Sequence, residues 1–181
     1  GKKSILYNHG GRQLADLGFL KEADELLKGK CKEIVFAGEL YLHKEGERSR
    51  SFDLTSGLDD NHKDIQYKAF DILTLDGEEK DFNIKELDTK LKELLKTGNS
   101  VNAVETSFVE SRKDIESLFQ DIVVKGNEEG IIVQSDNGPT YKIKPLITLD
   151  AVVVGFSEGE GSRGNKLKEL LLALKISENE Y

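Results

Sequence analysis

The spacing of apolar residues changes period several times along the chain, and each change marks an element. "KSILYNHGGRQL" opens with β-forming residues and breaks at Gly10-Gly11, which predicts a strand ending in a turn. "LADLGFLKEADELLKGK" then sets Leu17, Leu20, Ala23 and Leu27 near helical spacing, with Gly29 closing the helix. "EIVFAGELYLHKEGERSRSF" predicts a strand and a turn tipped by Glu45-Gly46-Glu47. "DIQYKAFDILTLDGEEKDF" predicts a second strand, ended by Asp76-Gly77. Two helices follow. The first carries the stripe Ile84, Leu87, Leu91, Leu94 and Leu95, with Gly98 as its cap. The second carries Ile115, Leu118, Phe119, Ile122 and Val123, opened by the capping pattern of Ser111 and Asp114 and closed by Gly126. "NEEGIIVQSDNGPTYKIKP" predicts a hairpin turning at Asp136-Asn137-Gly138. "LDAVVVGFSEGEGSRGNKLKELLLALKI" predicts two strands joined by a glycine-rich loop.

Strands separated by helices, with hairpins among them, imply an α+β protein with mixed and antiparallel sheets flanked by helices. No internal repeat or low-complexity tract is present. Helices stop and an all-β pattern begins near Leu149, which predicts one domain over residues 1–148 and the start of another over 149–181.

Composition narrows the class. At 181 residues, with 37% hydrophobic and 33% charged positions, the chain has the balance of a globular protein and is too apolar for wholesale disorder. No apolar run has the length that spans a bilayer and no signal segment opens the chain, so a cytoplasmic protein with no membrane partner is expected. A net charge of −8 argues against binding nucleic acid by bulk electrostatics and leaves room for a local basic groove. Methionine is absent and the chain starts at Gly1, so a piece of a longer protein is expected. The one cysteine, Cys31, has no internal disulfide partner and is read as a structural thiol.

Candidate chemistry gathers in the last hairpin. Strand alternation puts Lys142 and Lys144 on one face, with Tyr141, Ile143 and Pro145 on the other. Two ammonium groups side by side repel unless something anionic faces them, and a phosphate would serve; a solvated strand edge is the alternative. Glu129, beside Gly130 at the start of the partner strand, suits a metal ligand, a group that orients a lysine, or a plain loop acid beside Glu128. Glu39 in "FAGELYL" is placed by alternation on the face of Val35, Ala37 and Tyr41, where an acid needs a partner or a task, and Gly38 before it permits close backbone approach; an ordinary edge-strand acid is the alternative. "GEGSRGNK" is a hairpin loop rather than a phosphate-binding loop, since Asn165 separates Gly164 from Lys166 and Leu167 stands where Ser or Thr is needed. His9, His43 and His62 lack metal-ligand spacing. Arg48 and Arg50 in "EGERSR" are read as a solvated loop.

The order "FAGEL", "YKAFDIL", "EGIIV", "YKIKP", "LDAVVVGF" resembles that of covalent nucleotidyltransferases, most of all ATP-dependent DNA ligases, over nearly the whole chain. The resemblance implies the adenylation-domain fold followed by the first strands of an oligonucleotide-binding (OB) barrel. It implies ATP, held as AMP, and Mg2+ as cofactors, and nicked double-stranded DNA as the partner of a monomer working in repair, replication or recombination. Carried onto this chain, Glu39 resembles the acid near the ribose and Phe70 the aromatic that stacks on adenine, an ordinary core phenylalanine being the alternative for Phe70. Glu129 resembles the acid associated with the metal, and Lys142 and Lys144 the pair that neutralises the α-phosphate and its leaving group. Such ligases attack ATP with a lysine, pass AMP to a 5′-phosphate end and join it to a 3′-hydroxyl.

Two departures qualify this. The family's nucleophile lies in a K-x-D-G motif, which is absent here; Lys2 and Lys3 in "GKKSIL" do not fit it. The family arginine in the following turn has two counterparts, His9 or Arg12, and the last barrel motif is missing. The chain is expected to be the middle of a ligase, unable to complete the reaction alone. An RNA ligase or capping guanylyltransferase shares the motif order, and a non-catalytic nucleic-acid-binding module of the same fold is the alternative from another class.

Overall fold

The structure is a computed structural model that describes residues 3–14, 16–42, 54, 64–146 and 148–174. The predicted turn at Glu45-Gly46-Glu47, with Arg48, Arg50, His43, His62 and Lys2, lies outside the described residues. The chain divides into two compact units, Gly1–Ile143 and Lys144–Tyr181.

The first unit opens with a short arm in place of the predicted strand: Tyr7 bridges Gln13, and the turn between them places Gly11 at φ 76°. Helix α1 (Phe19–Leu27) starts later than the leucine spacing suggests; Leu17 and Phe19 are already buried ahead of and at its first turn, with Leu20 and Ala23 following on one face. Strand β1 (Ile34–Leu42) pairs antiparallel with β2 (Ile65–Leu75), which turns at Asp76-Gly77, both at positive φ, into β3 (Glu78–Glu79). Helix α2 (Ile84–Leu95) is opened by a capping box of Asn83 and Glu86 and leads to β4 (Val101–Ala103), which joins β2 in parallel. Gly98, expected as the helix cap, has ordinary φ; it is needed for space, because a Cβ there would lie 1.8 Å from the Val101 carbonyl oxygen. The core lies between the two helices and one face of the sheet, with Leu17, Ile65, Ile72, Leu91, Leu94 and Val101 fully buried. Burial of such aliphatic side chains, at about 1.5–3 kcal/mol each, is what holds helices and sheet together.

Helix α3 (Arg112–Phe119) has the predicted capping box of Ser111 and Asp114. Its continuation departs from expectation: Gln120–Lys125 widens into a π-helix, and only Val123 of the predicted stripe is buried. Gly126 and Asn127, the latter at φ 57°, then turn the chain into the hairpin of β5 (Ile131–Val133) and β6 (Tyr141–Ile143).

In the second unit, β7 (Ala151–Glu158) and β8 (Leu167–Leu174) form an antiparallel pair joined through a 3-10 turn at Gly161–Arg163. The glycine-rich segment is therefore a hairpin loop, as predicted. Two strands do not by themselves close a barrel, and the expectation here is of a barrel's first strands only.

Candidate functional site

The β1–β2 pair has a core side and an open side. Ile34, Phe36, Leu40 and Leu42 of β1 pack into or against the core, which leaves Glu39 exposed on the opposite face. Its register partner is Lys68, with Leu40 opposite Tyr67 and Tyr41 opposite Gln66. The Tyr41 hydroxyl donates to Gln66 Oε1, and the Lys68 ammonium lies over the Tyr41 ring, 5.1 Å from its centroid. Glu39 thus sits in a row of polar and aromatic side chains, flanked by a cation.

Phe70 owes its position to an irregularity in β2. Ala37 pairs with Asp71 and Gly38 with Ala69, so Phe70 is an extra residue without a partner on β1, and Leu73 is a second. A bulge of this kind redirects a side chain out of the alternation. Ala69 and Ile72 are fully buried on either side, whereas Phe70 is 50% exposed. It is not a core phenylalanine. Asp71 Oδ1 accepts from the Ile72 N–H at 2.8 Å at the bulge itself. Gly38 serves the same place from the core side: a Cβ there would lie 2.3 Å from Tyr67 Cζ and 2.5 Å from the Lys68 carbonyl oxygen. The Tyr67 ring that occupies this space stacks on Phe19 with centroids 5.8 Å apart, and burial pushes its phenol up to about 12.

The hairpin brings Glu129 and Lys142 together. Lys142 stands opposite Ile132 in mid-hairpin, and its Nζ lies 3.2 Å from Glu129 Oε1, both side chains about half-exposed. Glu129 sits at a bend before β5, so strand alternation does not set its direction. At such exposure the attraction contributes little to stability. Its consequence is placement. The neighbouring acid, Glu128, is near enough to Tyr41 to add to the effect of burial in holding that phenol above its ordinary value, so this end of the hairpin lies in the electrostatic reach of the open sheet face. The ladder ends at Ile131 and Ile143; Lys144 follows it, beyond the hydrogen-bonded backbone that would enforce a face shared with Lys142. Arg12 and His9 are both exposed on the short arm.

Three residues of this face carry no role in the sequence reading: Lys68, Gln66 and the Tyr41 hydroxyl. The signal for Lys68 was present, since it precedes Phe70 by two residues in "YKAF". Among the described residues no group of three or more His, Cys, Asp or Glu gathers around a common point. A single carboxylate such as that of Glu129 suits Mg2+ in the way that ion binds beside nucleotides, with phosphate and water completing its shell.

The family profile described as ATP dependent DNA ligase domain matches residues 12–145, which includes β1, β2, β5 and β6. The chain belongs to that family. Among curated relatives, a probable DNA ligase of Saccharopolyspora erythraea is 31% identical over 169 residues, covering 85% of this chain and 32% of the relative. A DNA ligase of Thermococcus onnurineus is 25% identical over 163 residues, covering 80% and 29%. The chain therefore spans about a third of the length of these relatives. A solved structure named Pmar-Lig_Pre shares the fold, with a TM-score of 0.66 and 18% identity over 94% of this chain and 44% of that one.

Proposed function

We propose that this chain is the central part of an ATP-dependent DNA ligase that seals nicks in double-stranded DNA, with residues 1–148 forming most of its adenylation domain and β7–β8 opening an OB-fold domain over residues 149–181. The observation that carries the reading is the open face of β1–β2, where the bulged Phe70 and Glu39 stand in one region of the sheet and the Glu128–Glu129 end of the hairpin lies in electrostatic reach of it. Phe70 offers a flat apolar surface to adenine, and Glu39 accepts from the ribose hydroxyls. Lys142 faces the α-phosphate, with Lys144 the next cation along the chain for the departing pyrophosphate.

Adenylation forms a P–N bond between the amine of a K-x-D-G lysine and the α-phosphorus. The bond to pyrophosphate breaks with its electron pair, and the amine gives up a proton. AMP then passes to the 5′-phosphate of the nick, and the 3′-hydroxyl displaces it. Negative charge shifts along the phosphates during the first step, so a fixed ammonium at Lys142 acts most strongly at the transition state. Bound Mg2+ supplies Lewis-acid neutralisation of phosphate oxygens, and Glu129 is the residue that would hold it. Until nucleotide enters, Glu129 keeps Lys142 oriented.

Labelled ATP tests the proposal. The 181-residue chain alone acquires no covalent AMP, because its sequence has no K-x-D-G. The same chain joined to a ligase segment that carries the motif becomes labelled through an acid-labile phosphoramide. Label on a lysine of the chain alone, or none on the joined protein, contradicts the reading.

A further inference from the structure

The hairpin that carries Lys142 is too small to hold itself in place. Its ladder has only the pairs Ile131↔Ile143, Ile132↔Lys142 and Val133↔Tyr141, and an isolated two-stranded ribbon of this size is marginal in water. At its base the π-helix and the Gly126-Asn127 turn fix the chain; the Glu128 N–H donates to the Ile122 carbonyl at 3.3 Å, and the Gly126 N–H to the Asp121 carbonyl at 3.0 Å. At its other end the turn reaches a different element. The Ile84 N–H at the start of α2 donates to Asp136 Oδ1 at 3.0 Å, a bond spanning 52 residues of sequence.

The site of this bond is specific. The capping box at the start of α2 already uses its own groups: Asn83 Oδ1 accepts from the Glu86 N–H at 3.0 Å, and Glu86 Oε2 from the Asn83 N–H at 3.3 Å. That box leaves the first helical amide, Ile84, without an intrahelical acceptor. Asp136 takes that amide, and its negative charge is favoured there by the aligned peptide dipoles of the helix. Helix α2 is itself rooted in the core by Leu91, Leu94 and Leu95.

We propose that Asp136 is a positioning residue for the adenylation chemistry: its bond to α2 pins the free end of the β5–β6 hairpin, and with it the Lys142–Glu129 pair, to the body of the domain. The functional half of this statement rests on the ligase reading; the mechanical half does not. Asp136 touches no nucleotide and acts through Lys142. A carboxamide keeps an acceptor oxygen for Ile84, so Asp136→Asn preserves the anchor, whereas Asp136→Ala removes it.

Hydrogen exchange on the 181-residue chain, without nucleotide, tests the anchor. In Asp136→Ala the amides of β5 and β6 exchange about fivefold faster, the amount expected for loss of one ordinary hydrogen bond, while core amides of β2 and α2 keep their rates and Asp136→Asn restores the hairpin. In the chain joined to a K-x-D-G segment, Asp136→Ala slows adenylate formation with ATP affinity retained, and Asp136→Asn recovers the rate. Unchanged hairpin exchange in Asp136→Ala overturns the anchor. Faster hairpin exchange with an unchanged adenylation rate, in a joined protein that does form adenylate, overturns the positioning role. Absence of adenylate in the unsubstituted joined protein refutes the ligase reading itself, and the exchange result stands apart from it.

Discussion

Phe70 illustrates what a single residue's environment decides. A phenylalanine between Ala69 and Asp71 in an apolar strand has every reason to be core, yet its neighbours Ala69 and Ile72 fill the core and Phe70 stands half out of it. Replacement by Leu therefore removes an aromatic face without opening a cavity. Phe70→Leu is expected to leave the melting temperature nearly unchanged and to weaken ATP binding by about 0.5–1.5 kcal/mol, roughly two- to tenfold, in a titration of ATP into the protein. A fall in stability with unchanged affinity would return Phe70 to the core. Asp76 gives a residue-scale prediction of another kind. Its Oδ1 accepts from the Lys32 N–H at 2.6 Å and the Glu33 N–H at 3.2 Å, and these bonds hold its carboxyl below its ordinary 3.8. A carboxyl with a lowered folded-state pKa stabilises the fold above its unfolded value, and that contribution is lost as pH falls below 3.8 through the folded value. Asp76→Asn keeps an acceptor and tolerates the left-handed backbone, φ 54°, but has no proton to gain. Denaturant unfolding below that pH should be less acid-dependent in Asp76→Asn than in the parent.

At the scale of elements, the legible features were those written in local chemistry. The capping box of Ser111/Asp114 satisfies orphan amides within one turn, and Asp76-Gly77 supplies the two positive φ values of a tight turn, so sequence neighbours suffice to specify them; the Asn83/Glu86 box is of the same local kind but entered only with the structure. The bulges at Phe70 and Leu73 were not legible, because they exist only in the register between β1 and β2, and alternation along one strand carries no register. The π-helix at Gln120–Lys125 escaped for a related reason: its apolar spacing continues that of α3, and the change to wider hydrogen bonds shows only in the backbone. The pairing of Glu129 with Lys142 depends on a bend that follows an asparagine at positive φ. Gly38 is the element-scale test. A methyl group there meets the Tyr67 ring and the backbone oxygen of Lys68, the latter having no freedom to move aside. Gly38→Ala should cost about 1–3 kcal/mol in denaturant unfolding and should lower ATP affinity as well, since the strand bearing Glu39 and its bulged partner shift together. Wild-type stability in Gly38→Ala would mean that the bulge is not held from the core side.

For the whole molecule, the order of weak motifs identified the family more surely than any one of them, and the profile match over residues 12–145 bears that out. A net charge of −8 speaks only to bulk electrostatics and leaves a local basic groove open. No helix among the described residues is long and apolar enough to cross a membrane. The second unit was read correctly as two strands and a loop. Under the proposed function, one face of the β1–β2 sheet and the β5–β6 hairpin form the nucleotide half of an adenylation site in which Lys142 acts on the transition state. Pre-steady-state adenylation by the chain joined to a K-x-D-G segment, with Lys142→Ala beside the parent and ATP affinity measured separately, tests it most directly. The account predicts a rate of adenylate formation lower by on the order of 100-fold, with ATP affinity changed by no more than roughly threefold. An adenylation rate in Lys142→Ala equal to the parent's would contradict it.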